Sequence, residues 1–589
     1  MTPLPAARSL IPAWLPGYSR ADLAGDVSAA LVVAVMLIPQ GMAYALLAGL
    51  PPEAGLYGAL LPVLVYAALG TSPALAVGPV AVVALMTLAA AGQVAAQGTP
   101  GFQLAALWIA LISGAIMLAV GLLRLGFLAN FLSHPVIAGF ITAAGVLIGL
   151  SQVQHLLGIR TSGKTLPEVL PSIWANLAAI KPATAILSVL VLGFLFWARK
   201  GLVPLLTRAG LAPGLATSLG RGALFVAVAA TTVASWMLGL AQQGVAVVGE
   251  IPRGLPGLAL PAFDAEMVRA LIVPAALIAL VGTAESISVA QTLAARRRQS
   301  IDPNRELVAL GMANLGAGIT QAMPVTGGLS RSIVNFDAGA RTPAAGAMTA
   351  VLIGVALIAL TPLLQHLPQA TLAAIIIVAV SSLIDLRALP QAWRLNRADG
   401  AAMAATILAT LTLGVEEGLA AAVGLKQAMH LNRSSRPHVA EVGQVPGTTH
   451  FRNVARYEVV TAPEVLSLRV DESLYFPTAR WLETLVQTRV AERPGLRHLV
   501  LMFSAVNDID ASAIESLERI AEKLAAAGVG LHLSEVKGPV MDKLARSDLL
   551  ARLAGVHLTQ FDAMTALAPG LTAATLARPR LERRLGARV

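Results

Sequence analysis

The segment "QAMPVTGGLSRSIVNF", residues 321–336, decides the fold because it places an arginine inside an otherwise apolar region. Arg331 comes after a proline and a run of small residues, and the apolar stretch around it is only half the usual length of a membrane span. An arginine at the middle of a bilayer costs roughly 2.5 to 3.5 kcal/mol on insertion scales, so such residues usually face a filled cavity. The segment therefore predicts a broken membrane helix beside a polar site.

The composition of the whole chain indicates a membrane protein. Its 589 residues are 56% hydrophobic and 13% charged, whereas soluble domains carry about 25% charged residues. Residues 22–428 consist mostly of apolar runs near the ~20 residues that span a bilayer as helix, and the alternation typical of membrane strands is missing. We therefore expect a polytopic α-helical membrane protein that has the lipid bilayer as its surroundings.

Several classes of function are disfavoured by the residue counts. The chain has no cysteine, and its nine histidines show no paired ligand spacing, so we expect no metal, no organic cofactor and no catalytic residues. The net charge of +10 does not point to nucleic acid, because the basic residues collect in short loops, for example at Arg199, Arg298 and Arg394. By the positive-inside rule these loops are cytoplasmic. We expect an inner (plasma) membrane protein whose N-terminal segment, residues 1–21, is also cytoplasmic.

Two interrupted segments occupy corresponding places in the two halves of the membrane region. "SPALAVGPVAVVAL" (72–85) and "MPVTGGLSRSIVNF" (323–336) each contain a proline, then small residues, then a half-length apolar stretch. Interruptions of this kind point to a transporter site made from broken helices, although an Ala/Gly-rich chain could produce them by chance. A third interruption is predicted at Pro39, which would divide the first apolar region into 22–38 and 40–50.

The pattern changes at about residue 438. Short apolar strands such as "LRHLVLMF" alternate with amphipathic helices such as "SAIESLERIAEKLAAAG", which predicts a small α/β domain with a mostly parallel sheet over residues 438–565. The remaining tail, residues 566–589, is basic and weakly patterned, and we expect it to be frayed or to lie on the lipid surface.

Four motifs in this order resemble the sulfate permease family, also called solute carrier family 26: "PEAGLYGALLPVLVYAALGTSPALAVGP" (52–79), "SHPVIAGF" (133–140), "ESISVAQTLA" (285–294) and "PVTGGLSRS" (324–332). The C-terminal part resembles the sulfate transporter and anti-sigma factor antagonist (STAS) domain. The resemblance implies fourteen membrane segments as two inverted repeats of seven, core and gate domains, a cytoplasmic STAS domain, a homodimer and a small anionic substrate. Pro73 departs from the basic residue that many members carry there.

An anion that enters a membrane must exchange its hydration shell for other donors, and the N-termini of two half-helices can supply them. Small residues would let the backbone approach the ligand, and the candidate substrate-binding residues here are Gly78, Val80, Ala81, Gly327, Gly328 and Ser330. Arg331 would add formal charge. The alternative is an arginine that pairs only with a protein carboxylate or reaches the membrane surface.

Glu285 lies well inside an apolar helix, where it must be paired, protonated or bound to a cation. We predict that it couples transport to protons. A static pairing with Arg331 stays open, and so does sodium, since backbone carbonyls could supply the oxygen ligands. Gln40, beside Pro39, and Tyr44, one turn later, are candidate substrate contacts on a kinked first segment.

Ser512 matches the position that is phosphorylated in anti-sigma factor antagonists, so it is a possible regulatory site. A helix capping box in which Ser512 or Asp510 opens the helix and Glu515 closes it would explain the same letters.

The leading functional hypothesis is a secondary active transporter of small anions, such as fumarate, bicarbonate or sulfate, working by proton-coupled symport and alternating access. Alternatives are a sodium-coupled bicarbonate symporter and an uncoupled anion channel, exchanger or voltage-driven motor. A membrane-anchored signalling protein would not need so many spans. A permease for neutral substrates is opposed by Arg331, and no nucleophile and base pair indicates an enzyme.

Overall fold

The computed structural model describes residues 12, 14–127, 134–211, 220, 222–252, 254–359 and 361–580. The chain divides into two compact units, Met1–Lys426 and Gln427–Val589.

The first unit is helical apart from two short strands, β1 (Val77–Gly78) and β2 (Thr326–Gly327). Its first-half helices are α1 (Arg20–Leu47), α2 (Pro52–Tyr57), α3 (Leu61–Leu69), α4 (Ala81–Val94), α5 (Pro100–Leu122), α6 (His134–Leu157), α7 (Leu166–Ala175), α8 (Pro182–Trp197), α9 (Val203–Arg208) and α10 (Ala223–Met237). The second-half helices are α11 (Ala265–Arg296), α12 (Pro303–Ile319), α13 (Leu329–Asp337), α14 (Ala344–Ala359), α15 (Thr361–Leu364), α16 (Gln369–Val380), α17 (Ala388–Leu395), α18 (Arg397–Leu413) and α19 (Val415–Ser434), which continues into the second unit.

Within the described residues, six helical stretches are long and apolar enough to cross a membrane: Arg20–Leu47, Pro52–Leu69, Pro100–Leu122, Pro135–Leu157, Pro182–Arg208 and Ala265–Arg296. Four shorter apolar helices are α4, α10, α14 and α16. This is the polytopic α-helical architecture that the composition predicts.

The predicted interruption at Pro39 is wrong. Helix α1 begins with a capping box between Ser19 and Asp22 and continues through Pro39 to Leu47. In a bilayer, neighbouring helices and small local adjustments satisfy the backbone groups that a proline frees, so a proline does not have to end a span. Gly414, at φ +114°, separates α18 from α19, so the last apolar region of the first unit forms two helices.

Helices from the two halves of the unit pack closely against each other. A Cβ on Gly114 of α5 would lie 2.8 Å from the Gly311 carbonyl oxygen of α12, and the converse distance is also 2.8 Å. Only glycine permits such a contact between backbones, as is common where membrane helices cross.

The second unit is a six-stranded sheet with helices on both faces. Its strands are β3 (Val439–Gln444), β4 (Phe451–Asn453), β5 (Val465–Val470), β6 (His498–Met502), β7 (Gly530–Ser534) and β8 (Gly555–His557). Their order is β4-β3-β5-β6-β7-β8, with β5 to β8 parallel and β3 antiparallel to both of its neighbours. The helices are α20 (Phe476–Ala491), α21 (Ala511–Ala526), α22 (Gly538–Leu544), α23 (Leu549–Arg552), α24 (Gln560–Leu567) and α25 (Pro569–Leu576).

Both faces of this sheet are buried. In β6, Leu499 and Leu501 belong to one apolar cluster, which includes residues of α20 and α21, whereas Val500 and Met502 belong to another, which includes Met564 of α24. A strand covered on both sides reads as a continuous apolar run, which is why the "HLVLM" pattern could be recognised.

Two expectations for this region need correction. The strands β3 and β4 were not predicted, and they add an antiparallel edge to the parallel sheet. The described part of the tail is not frayed: α25 is helical, and Thr572 and Thr575 on it are buried. Residues 581–589, and residues 1–11 and 13 of the N-terminal segment, lie outside the described residues.

Candidate anion site at the crossing of two broken helices

The two interrupted segments meet at a short antiparallel pairing. Val77 of β1 lies opposite Gly327 of β2, and Gly78 lies opposite Thr326. Each strand leads directly into a helix, since α4 starts at Ala81 and α13 starts at Leu329. The N-termini of two half-length helices are therefore brought to one place, as the matching interruptions predict.

Neither N-cap residue closes its helix start with its own side chain. The N-cap residues are Val80 for α4 and Gly328 for α13, and neither makes a side-chain capping hydrogen bond. The first N–H groups of a helix have no partner within the helix, and together they carry a partial positive charge. The crossing therefore presents two uncapped helix N-termini, an arrangement suited to an anion.

Arg331 lies at this crossing and is only 3% exposed. Its Nε and Nη2 atoms donate to the Ala76 carbonyl oxygen at 3.3 and 3.2 Å, and Nη1 donates to that of Pro79 at 3.1 Å. Within the described part of the chain, no salt bridge joins Arg331 to a carboxylate. Arg331 is therefore buried at the crossing and does not reach the surface of the protein. The guanidinium joins the two segments through carbonyl oxygens, which carry no net charge.

Gly78 is required by its backbone and by the space around it. Its φ is +154°, and a Cβ there would lie 3.1 Å from Arg331 Nη2. Glycine therefore lets the guanidinium approach the backbone ahead of α4.

Hydroxyl groups fix β2 from below. Ser286 Oγ and Thr326 Oγ1 are 2.6 Å apart, the Gly327 N–H donates to Ser286 Oγ at 2.9 Å, and Thr326 Oγ1 donates to the Gly282 carbonyl oxygen at 2.9 Å. These oxygens hold the broken segment in place on α11.

Three amide and hydroxyl side chains were not anticipated as part of this scaffold. Asn314 of α12 donates to the Val325 carbonyl oxygen and accepts from its N–H, both at 2.9 Å. Ser332 Oγ accepts from the Ala76 N–H at 2.9 Å, and Asn335 Nδ2 donates to the Ala74 carbonyl oxygen at 3.1 Å. The two segments are therefore fastened on both sides of the crossing.

Glu306 was also missed, although it is a fully buried carboxylate. It accepts from Tyr66 Oη at 2.7 Å, from the Thr71 and Ser72 N–H groups at 2.6 and 2.9 Å, and from Thr71 Oγ1. Its role is to hold the turn that precedes β1. The available signal was the i, i+4 row of Glu306, Leu310 and Asn314 on α12, which places two polar residues on a buried face.

Tyr44 and Glu285 lie near Arg331, and the three side chains are close enough to interact electrostatically. Tyr44 is buried on α1, whereas Glu285 on α11 is half-buried and approaches the Leu329 N–H at the start of α13. The structure thus brings together the carboxyl group of Glu285, the guanidinium of Arg331 and the phenol of Tyr44, all three of which the sequence analysis singled out.

Gln40 and Ser330 share a cavity of about 220 Å³ beside the crossing. The other polar residues lining it are Arg199 and Ser382, and most of the remaining wall is apolar. Gln40 is 6% exposed, whereas Ser330 is exposed toward this space. The cavity is large enough for a small ion and touches the first turn of α13.

Ser512 is exposed in the first turn of α21, in the second unit. The predicted capping box is wrong: Asp510 is the N-cap and accepts from the Ala513 N–H at 2.8 Å, and no reciprocal bond from Glu515 closes a box. An exposed hydroxyl in this position is accessible to modification.

Comparison with known proteins shows which families and proteins this chain is similar to. The profile of the Sulfate permease family matches residues 23–406, and that of the STAS domain matches residues 456–562. A probable sulfate transporter of Arabidopsis thaliana, 4.2, is 35% identical over 545 residues, 89% of this chain and 78% of that protein. A probable sulfate transporter of Mycobacterium tuberculosis H37Rv is 33% identical over 554 residues, 92% of this chain and 96% of that protein.

Two solved structures share the fold. A murine solute carrier 26 family member A9 anion transporter in the inward-facing state superposes with a TM-score of 0.84 at 22% identity, covering 94% of this chain and 93% of that one. The transmembrane domain of a cyanobacterium bicarbonate transporter gives 0.59 at 23% identity, covering 69% of this chain and 99% of that domain.

These matches define a multi-pass membrane transporter rather than an enzyme. The chain belongs to the sulfate permease family, solute carrier family 26, and carries a C-terminal STAS domain. It is an anion transporter of this family.

Proposed function

We propose that the protein is a secondary active transporter of small oxyanions that works by alternating access. The observation that carries this proposal is the meeting of two helix N-termini with the buried charge of Arg331, which is hydrogen-bonded to backbone carbonyl oxygens. The proposed substrate-binding residues are Gln40, Tyr44, Gly78, Val80, Ala81, Gly327, Gly328, Ser330 and Arg331. The names of the relatives make sulfate the first substrate to test and bicarbonate the second.

Glu285 is the proposed coupling residue, with the proton as the coupling ion. The geometry supports it because Glu285 approaches the Leu329 N–H, one of the groups that an anion would use. As a carboxylate it competes for the positive field of α13 and Arg331, and as a neutral acid it leaves that field to the substrate. Sodium coupling and uncoupled exchange are the competing mechanisms.

Liposome uptake tests this mechanism. An inward proton gradient should drive accumulation of sulfate by the purified wild-type protein. Glu285→Gln, which imitates the neutral acid, should still bind the anion but lose the pH dependence of net uptake. Glu266→Gln, at an exposed position near the start of the same helix, is the matched control. Uptake driven by sodium alone, or normal pH dependence in Glu285→Gln, would contradict proton coupling.

The finer organisation is also a proposal. We propose fourteen membrane segments as two inverted repeats of seven, forming core and gate domains, in an inner-membrane homodimer. The proposed divisions are a cytoplasmic segment at 1–21, a transport domain at 22–428, a cytoplasmic STAS domain at 438–565 and a basic tail at 566–589. Ser512 is a proposed regulatory site. The solved structures of similar fold support the shared architecture.

A further inference from the structure

The second unit contains a basic cavity that takes no part in the crossing described above. It has a volume of about 370 Å³, and its ionisable lining residues are His438, Arg452, Arg456, Arg469 and Asp471. Cavities of about 300 Å³ and more are the size at which proteins bind small molecules.

The carboxylate in this cavity, Asp471, is already paired with protein side chains. Asp471 accepts from Arg469 Nε and Nη2 at 2.5 and 3.0 Å, and its other contact is His438 Nδ1 at 2.7 Å. Burial would raise the pKa of Asp471, but the hydrogen bonds from Arg469 and His438 outweigh it and lower the pKa. Asp471 therefore stays charged, and it holds Arg469 in a fixed orientation.

The other two arginines have no acidic partner. Across the described residues, neither Arg452 nor Arg456 forms a salt bridge, and the one side-chain bond that Arg452 makes is to the Phe451 carbonyl oxygen at 3.2 Å. The cavity consequently holds about two uncompensated positive charges and many N–H donors, with no free acid.

The backbone around these arginines is ordered by pairing and by a turn. Arg452 lies opposite Gly443 in the β3–β4 ladder. Asn453 Oδ1 accepts from the Ala455 N–H at 2.8 Å, which closes a turn that carries Arg456 back to the cavity. The backbone that carries both arginines is therefore already ordered, and binding of a ligand has only their side chains left to order.

We propose that this cavity binds the dianionic phosphate group of a phosphate monoester. The charge of such a group balances Arg452 and Arg456, and guanidinium forks match the geometry of phosphate oxygens. Tyr457 lines the same cavity, and the volume leaves room for an organic part. The monoester is either a soluble metabolite or the headgroup of phosphatidic acid, because both present the same group.

A local fluorescent reporter tests the proposal in the full-length protein. The chain has no cysteine, so Ala455→Cys can carry an environment-sensitive dye at the rim of the cavity. One arm titrates glycerol 3-phosphate against glycerol with matched potassium chloride. The other arm adds phosphatidic acid to detergent micelles, with phosphatidylcholine as the reference. The same dye at Ala525→Cys, exposed on α21, should not respond.

The labelled protein should respond to at least one of the two probes. Adding Arg452→Gln and Arg456→Gln should weaken that response at least about tenfold, since two charged hydrogen-bond donors are lost. Arg480→Gln, at an exposed position on α20, should leave it unchanged. A response to one probe alone identifies the source of the phosphate. No response to either probe, or equal affinity in the double variant, would refute the site.

Discussion

At the scale of single residues, Arg331 has two tasks. Its guanidinium donates hydrogen bonds to backbone carbonyl oxygens, and these bonds join the two broken segments. Carbonyl groups carry no net charge, so these bonds hold the side chain without cancelling its positive field. An arginine tied to a carboxylate would hold the same shape but attract an anion far less.

Arg331→Gln should weaken anion binding by about ten- to a hundred-fold, because it removes a charge-assisted interaction of roughly 1.5 to 3 kcal/mol. Isothermal titration calorimetry of the purified protein with sulfate measures this change. Arg387→Gln, an exposed arginine, should bind like the wild type. A monodisperse Arg331→Gln protein with unchanged affinity would reduce Arg331 to a structural role.

The sequence alone could identify Arg331, but not the buried hydrogen bonds that hold the segments around it. A charge within an apolar region is visible in the letters, and so is the pair of prolines and glycines that breaks each helix. The hydrogen bonds of Glu306, however, reach residues 235 positions away. The i, i+4 row with Leu310 and Asn314 can mark Glu306 as buried, but it does not identify these partners. Its position after Pro303, in the first turn of α12, also resembles an ordinary helix start.

At the scale of elements, two glycines at the crossing of β1 and β2, Gly78 and Gly328, are constrained to different degrees. Gly78 has a positive φ, and a Cβ there would lie 3.1 Å from Arg331 Nη2. Gly328 has φ −86°, and a Cβ there would lie 3.1 Å from Val80 Cγ1. The first position is constrained by backbone and neighbour together, and the second mainly by packing.

Gly78→Ala should therefore lower the thermal midpoint and sulfate affinity more than Gly328→Ala does. Alanine at a positive φ costs on the order of 1 to 2 kcal/mol before any displacement of Arg331. Thermal unfolding in detergent and a binding titration on both variants make the comparison. Equal or larger losses for Gly328→Ala would show that the backbone at Gly78 is not the constraint.

Three parallel strands of the second unit carry a histidine ladder, defined as His498, His532 and His557. Nδ1 of His498 lies 3.1 Å from Nε2 of His532, whose Nδ1 lies 3.3 Å from Nε2 of His557. Two of the three histidines lie opposite a glycine on the next strand, His498 opposite Gly530 and His532 opposite Gly555. Burial, together with the two neighbouring imidazoles, lowers the pKa of His532 to about 4.

The second unit should therefore lose stability in acid. The unfolded chain takes up a proton at His532 near pH 6.5, whereas the folded state resists it until about pH 4. The contribution is complete above pH 6.5 and is lost as the pH falls toward 4, by about 1 to 3 kcal/mol. Calorimetric unfolding of the full-length protein at several pH values measures it.

His532→Gln should flatten this acid dependence, and the exposed His450→Gln should keep it. If the wild type and His532→Gln lose stability in parallel between pH 6.5 and 4, then other groups govern the acid response.

Secondary structure could be predicted where the apolar residues follow one clear pattern, either a continuous run or a helical period. The central parallel strands are continuous apolar runs, and α21 is strongly amphipathic, so both are visible in the letters. The strands β3 and β4 are short and contain Gly443, Gln444 and Asn453, and they pair because the sheet edge is available. The prediction of a helix break at Pro39 was wrong because the free-energy cost of a proline inside a membrane helix depends on neighbouring helices, which the sequence does not reveal.

At the scale of the whole molecule, the two compact units divide the work. The residues of the crossing lie between Gln40 and Asn335, and the basic cavity lies between His438 and Asp471. Removing residues 438–589 should leave a membrane unit that still binds sulfate, although its rate or assembly can change. Calorimetry on the truncated protein, with the full-length protein as reference, checks this. A monodisperse truncated protein without affinity would place part of the anion site in the C-terminal unit.

The contacts around Glu306 also set an order for biosynthesis. Thr71 and Ser72 leave the ribosome about 235 residues before the carboxylate that holds them. At roughly 5 to 20 residues per second this interval lasts about 10 to 50 s. During that time the turn before β1 has neither Glu306 nor β2 and Arg331 to satisfy its backbone. The first half of the membrane region must therefore wait as an incomplete insertion intermediate, and chain elongation itself times the closure of the transport site.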